Sequence, residues 1–252
     1  MKMPVVCLIA VFVSGCACFG QTFEVASVKV NHAQEPAGRG MHGSPKSPVE
    51  YSPGTLSLRN ATLSAAVQYA YNVKEYQVTG PAWLTSERYD IVGKAASAAA
   101  QPEMRVMLQN LLAERFKLAF HRDTKEMPVF VLVPAPGGIK MQESQGDGEP
   151  SFSGRGPTAT AKNQTMSALV DMMIGPIMMM LGRPIIDQTG LTKRYDISID
   201  MSAMMGPGMQ LDELVTALPK LVQDQLGLKL EPKKVPVELL IIDHAEKIPT
   251  EN

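Results

Sequence analysis

The chain has 252 residues, of which 45% are hydrophobic and 19% charged, and a net charge of −1. That composition excludes a disordered or fibrous protein, and the near-zero charge excludes the basic footprint of a nucleic-acid binder. The length allows one or two domains of about 100–150 residues each.

The chain opens with Met1-Lys2-Met3, an apolar run from Pro4 to Val13, and the small residues Ser14-Gly15. A short positive region, an apolar centre and a small-residue end form the plan of a secretory signal peptide. The apolar run is shorter than the roughly 20 residues that span a bilayer. The expectation is therefore an exported chain, either secreted, periplasmic or held at the membrane as a lipoprotein. Two cleavage readings compete. Residues 1–20 form the leader if the mature chain starts at Gln21. Residues 1–15 form it if Val13-Ser14-Gly15-Cys16, which resembles a lipobox, makes Cys16 a lipid attachment site. The three cysteines, Cys7, Cys16 and Cys18, all lie in this region. The rest of the chain has none and must be held by hydrophobic burial rather than disulfides.

Phe23–Val30 alternates apolar and polar residues and reads as a strand. Asn31–Pro53 lacks periodicity and reads as a long loop. Thr55–Arg59 is a short strand. Asn60 or Thr62 then caps a helix to about Asn72, with Leu63, Ala66, Val67, Ala70 and Tyr71 on one face. Tyr76–Gly80 is extended, and Pro81–Leu84 begins a brief helical turn. Tyr89–Lys94 is the next strand. Pro102 opens a helix to Arg115, followed by strands Leu118–His121 and Val129–Val133 on either side of a charged turn, Arg122–Glu126. Pro134–Pro157 is rich in Gly, Pro and Ser and reads as a linker.

The same punctuation then returns. Asn60-Ala61-Thr62-Leu63-Ser64 matches Asn163-Gln164-Thr165-Met166-Ser167, Gly80-Pro81 sits where Arg183-Pro184 sits, and Arg88-Tyr89-Asp90-Ile91 recurs as Arg194-Tyr195-Asp196-Ile197. A helix over Leu211–Leu226, which Pro219 kinks or splits in two, and strands at Lys229–Glu231 and Val237–Asp243 complete the second copy. A period of about a hundred residues exceeds the roughly 20–50 of solenoid repeats. The expected fold is α+β: two tandem, duplicated small domains, each with two helices packed on short, mostly antiparallel strands. The domains span 23–140 and 158–248, joined by a linker at 141–157.

The candidate chemistry is sparse. His32, His42, His121 and His244 form no metal-binding spacing, and no nucleophile motif is present. No catalytic residue, cofactor or metal site is therefore assigned. Met166, Met172, Met173 and Met178–Met180 crowd one helical region and Met201, Met204, Met205 and Met209 follow it; of these, Met178-Met179-Met180 and Met204-Met205 offer thioethers that could bind Cu(I). Filling an irregular core explains them more simply. Trp83, the single tryptophan, with Tyr76 and Tyr89, could line a ligand groove. Arg88 and Asp90, like Arg194 and Asp196, share one face of their strands and read as a structural pair.

The strings FEVASVK, GPAWLTSERYDI, LLAERFKLAFHRDTKEMPVFVLV, GRPIIDQTGLTKRYDI and LGLKLEPKKVPVELLIIDHAEKIPTEN cover most of the mature chain. They resemble a large paralogous family of exported proteins, expanded in soil acidobacteria and described as a domain of unknown function. Similar domains occur attached to membrane sensor peptidases. The resemblance implies an extracytoplasmic sensing or binding role and carries over no catalytic residue. The β-α-β-β order also looks like the short N-terminal domains of secretins and TonB-dependent receptors. The expected function is a non-enzymatic binding or sensing module whose partner is a small molecule or an envelope protein, with no nucleic acid and with membrane attachment only through an N-terminal lipid. An extracytoplasmic hydrolase and a Met-rich copper binder are the alternatives.

Overall fold

The computed structural model describes residues 22–31, 49–146, 148–155, 157–174, 182–202 and 211–250. The leader with Cys16, His32 and His42, and the methionines at 178–180, 204, 205 and 209 lie outside the described residues. The fold is mixed α/β and dominated by strands, and the chain forms two compact units. The first takes the chain to Arg122 and again from Leu240, while the second is Asp123–Leu239.

In the first unit, β1 (Val25–Val30), β2 (Val49–Ser52) and β3 (Thr55–Thr62) lead into helix α1 (Leu63–Tyr71), followed by β4 (Val78–Thr79), β5 (Arg88–Lys94) and helix α2 (Gln101–Phe116). Four strands make an antiparallel sheet in the order β1-β5-β3-β2. Leu56, Leu58, Tyr89 and Ile91 face a core shared with Leu63, Ala66, Val67 and Ala70 of α1 and Met104, Leu108, Leu112 and Phe116 of α2. The helical residues recur at three- and four-residue spacing, which forms one apolar stripe. Each fully buried Leu contributes about 1.5–3 kcal/mol over its exposed state. Helix α1 ends at Asn72, in the left-handed region with φ 53°. Pro102 sits in the first turn of α2, and the Glu103 carboxylate accepts from the Ala100 amide at 2.8 Å.

The long strand β6 (Ala119–Pro134) contributes to both units, its first residues to one and those from Asp123 to the other. The second unit continues with β7 (Gln142–Glu143), β8 (Ser151–Arg155), β9 (Thr158–Thr165) and helix α3 (Met166–Leu169), which widens into a π turn over Val170–Ile174. Then come β10 (Ile185–Asp187), β11 (Arg194–Asp200), helix α4 (Leu211–Leu221) with a π turn Val222–Leu226, and the long strand β12 (Leu228–His244). Its antiparallel sheet runs β7-β11-β9-β8. The core gathers Ala161, Met166, Leu169, Tyr195, Ile197, Leu218, Val222, Leu226 and Leu228. Strand β10 pairs in parallel with β6 at Ile185↔Phe130, and β4 pairs in parallel with β12 at Leu240↔Val78.

Four expectations are corrected. Part of the long loop is strand β2, because Pro53-Gly54 forms a tight turn into β3 with Gly54 at φ 81°. The charged segment Arg122–Glu126 is not a turn but the exposed middle of β6. It contains no Gly or Pro, and none of its residues takes a positive φ. Likewise β12 is one strand of 17 residues rather than two: Pro232 and Pro236 lie in its middle, but none of its residues takes a positive φ and the chain stays extended. Finally, helix α4 is not split at Pro219: it runs through it and widens only at Val222. The segment 141–157 contains β7 and β8.

Candidate functional site

The repeated letters Arg-Tyr-Asp-Ile resolve into one local geometry in each unit. In the first, Leu58 opposes Ile91 and Ala61 opposes Tyr89, so Arg59 and Asn60 face Asp90 alone. This is a β-bulge. Asn60 adopts φ 50°, a left-handed conformation that Asn tolerates better than most residues. Its amide donates to Asp90 Oδ1 at 2.8 Å, and its carbonyl accepts from Arg88 Nη1 at 3.2 Å. Asn31 Nδ2 donates to both oxygens of the same carboxylate at 3.2 Å. Two residues past the bulge, Thr62 Oγ1 accepts from the Ala65 amide at 3.1 Å and caps α1.

In the second unit the bulge falls between Tyr195 and Ile197, with Asn163 at φ 53°. The Asn163 amide donates to Asp196 Oδ1 at 2.8 Å, and its carbonyl accepts from Arg194 Nη1 at 2.8 Å. Ser144 Oγ donates to Asp196, and Thr165 Oγ1 caps α3 by accepting from Ala168 at 3.3 Å. Strand alternation sends Tyr89, Ile91, Tyr195 and Ile197 inward to the cores while Arg and Asp reach the bulge. The expected Arg–Asp pair is thus a clasp on the backbone N–H and C=O of one residue. The sequence signal that marks it is Asn-x-Thr ahead of Arg-Tyr-Asp-Ile.

The Ser144 hydroxyl, and after it the Asn163 amide, hold the Asp196 carboxyl below the ordinary carboxylate value. A depressed folded value means that the contribution is present at neutral pH and is lost as pH falls from about 4 through the folded value. Urea midpoints of the second unit are expected to drop in that acid window for the wild type. In Asp196→Asn, which has no carboxylate to titrate, they should start lower and drop less.

Of the aromatic residues considered for a ligand groove, Tyr89 lies inside the first core. It stands edge-on to Phe116 at 5.0 Å and donates its hydroxyl to the Lys247 carbonyl at 2.7 Å. It is inward because it alternates with the clasp residues of β5. Burial, followed by the nearby Glu87 charge, pushes its pKa up to about 12. The raised value favours the neutral form in the fold, so that contribution is full below about pH 10 and is lost as pH rises towards 12. Tyr89→Phe should remove this alkaline loss while costing about 1–3 kcal/mol at neutral pH, because the Lys247 carbonyl loses its donor. Denaturation of both proteins from pH 8 to 12 checks this. Trp83 and Tyr76 are half-buried in short 3₁₀ turns, Ala82–Thr85 and Glu75–Gln77. Trp83 packs against the first core.

Hollows on the described surface include the following two. One of about 270 Å³ is lined by Phe23, Glu24, Met107, Leu111, Glu114 and Arg115, in the first unit. The other, about 280 Å³ in the second unit, is lined by Glu149, Pro150, Asn163 and Arg194 with Gly146 and Gly148, and so borders the second clasp. Across strands of the first unit, His121 Nδ1 lies 2.8 Å from Asp243 Oδ1, with the side chains 54% and 48% exposed. Among the described residues no three His, Cys, Asp or Glu side chains could hold a metal together, and no helix is long and apolar enough to cross a membrane. Met166 is a core residue of the second unit, and Met201 packs against it.

A family model described as Protein of unknown function (DUF3738) matches residues 64–245. No curated protein and no solved structure matches the chain.

Proposed function

The chain belongs to that family of unknown function, and we propose from its own geometry that it is a non-enzymatic binding or sensing module of the extracytoplasmic space, built from two duplicated α+β units. The observation that carries this reading is the use made of the recurring charged residues. Arg88, Asp90, Arg194 and Asp196 all hold the backbone of a bulged Asn. The features common to both units are therefore architectural, and function falls to the surfaces the architecture displays. One such surface is the open face of the first sheet, where Val25 is 62% and Val92 42% exposed. Half-buried Trp83 and Tyr76 offer aromatic contact area for a small molecule or an envelope protein.

Duplication is supported by the matching strand order, the matching bulge and clasp, and the matching threonine cap in the two units. Export is supported by the leader sequence, and anchoring by Cys16 within it. If the lipid is attached there, Cys16→Ser moves the protein from the membrane fraction to the soluble one.

A hydrolase is the second reading, favoured by the His121–Asp243 pair, which supplies the base and the orienting group of a triad. Screening the purified mature chain against ester, peptide and glycoside substrates separates the two. The binding reading predicts no turnover, and a thermal shift with the true ligand worth about 2.7 kcal/mol at a hundredfold excess over Kd. Turnover abolished by His121→Ala or Asp243→Ala overturns it. As an exposed pair, the two should contribute under about 1 kcal/mol to stability, so both variants should stay folded.

A further inference from the structure

The first unit is assembled from two stretches of chain that the whole of the second unit separates in sequence. The later stretch is short, yet it meets a prepared site. Leu240 is 2% and Ile242 5% exposed, both within the first core. Leu240 and Ile241 pair in parallel with Val78 and Thr79 of β4. Gly80 keeps the floor clear: a Cβ there would lie 2.5 Å from Leu84 Cδ1 and 3.0 Å from Ile242 Cβ. Further along, the Glu246 amide donates to the Phe116 carbonyl at 2.7 Å, the Thr250 amide donates to the Arg115 carbonyl at 2.9 Å, and the Lys247 carbonyl accepts from Tyr89. Lys247 Nζ adds an ion pair with Glu87 at 2.6 Å.

This is the chemistry of peptide recognition by strand addition. Main-chain bonds supply affinity, and pockets for alternate side chains, here Leu240 and Ile242, supply selectivity. We propose that this groove is a strand-binding site, and that the segment Leu240–Thr250 of a second copy of the chain occupies it in a strand-exchanged dimer. The exchanged dimer makes the same contacts as the monomer, so the choice between them rests on concentration and on the opening of the segment. Tethering within one chain gives an effective concentration on the order of 1 mM, which favours the monomer in dilute solution.

The test uses two full-length wild-type populations carrying different affinity tags. They are mixed at about 1 mM chain, brought to the denaturant concentration at which amides 240–250 lose protection, and returned to buffer. The proposal predicts a dimer by light scattering that carries both tags and persists on dilution. It further predicts that an excess of the free peptide Leu240–Thr250, present during the opening step, suppresses that dimer, and that a peptide with Asp at both apolar positions does not. Monomers alone at this concentration overturn the proposal. So does a dimer that the native peptide leaves untouched, because its interface would then lie elsewhere.

Discussion

Replacing Gly227 by alanine should unfold the second unit. Gly227 ends the π turn of α4 at φ 67°, and a Cβ there would lie 2.1 Å from the Gly138 carbonyl, 2.7 Å from the Lys140 amide and 2.9 Å from Ile139 Cα. All three are backbone atoms, so no rotamer change relieves the clash. The same backbone carries the Ala135 amide to the Gly227 carbonyl at 2.9 Å and the Lys140 amide to the Leu226 carbonyl at 3.0 Å. Overpacking and a left-handed alanine together should cost about 3–5 kcal/mol. The first unit supplies the control. Lys117 ends α2 at φ 51°, the matching position, and carries a side chain there. Lys117→Gly should change stability by no more than about 1 kcal/mol. Chemical denaturation followed by amide exchange in β9 and β11 checks the pair. A Gly227→Ala protein with a wild-type midpoint would contradict the packing described for this turn.

The second large effect separates two positions on one strand. Leu240→Ala should destabilise the first unit by about 2–5 kcal/mol, and Leu228→Ala the second by a similar amount. Both residues belong to β12 and both are nearly inaccessible, at 2% and 0% exposed, but they enter different cores. Amide exchange reads the difference directly. Leu240→Ala should release protection in β3, β5 and α2, and Leu228→Ala in β9, β11 and α4. A common pattern for both variants would mean that the cores do not divide at this strand.

How much of this was legible beforehand depends on the range of the forces involved. The first helix was readable within about one residue at each end, because Thr62 and Asn72 state its caps locally. The alternation in Arg-Tyr-Asp-Ile also stated which side chains go inward. The bulge was not readable, since it depends on Asn60 and Asn163 taking a left-handed conformation that only a partner strand stabilises. Nor was the continuity of β6 and β12 readable. Their exposed charged middles resemble hairpin tips, and only pairing with distant strands keeps them extended. The His121–Asp243 contact links residues far apart in sequence and left no local trace.

The central claim is that the recurring acid of each unit holds the fold together. It is tested most directly by the exchange rates of the Asn60 and Asn163 amides in the wild type, in Asp90→Ala and in Asp196→Ala, which remove the accepting oxygen. The account predicts strong protection of both amides in the wild type, and loss of protection at Asn60 alone in Asp90→Ala and at Asn163 alone in Asp196→Ala. A loss of stability should accompany each loss of protection, because a hydrogen bond to a charged group is stronger than one between neutral groups. If both variants keep wild-type protection and stability, the carboxylates are not structural clasps, and their recurrence must be explained by what they bind.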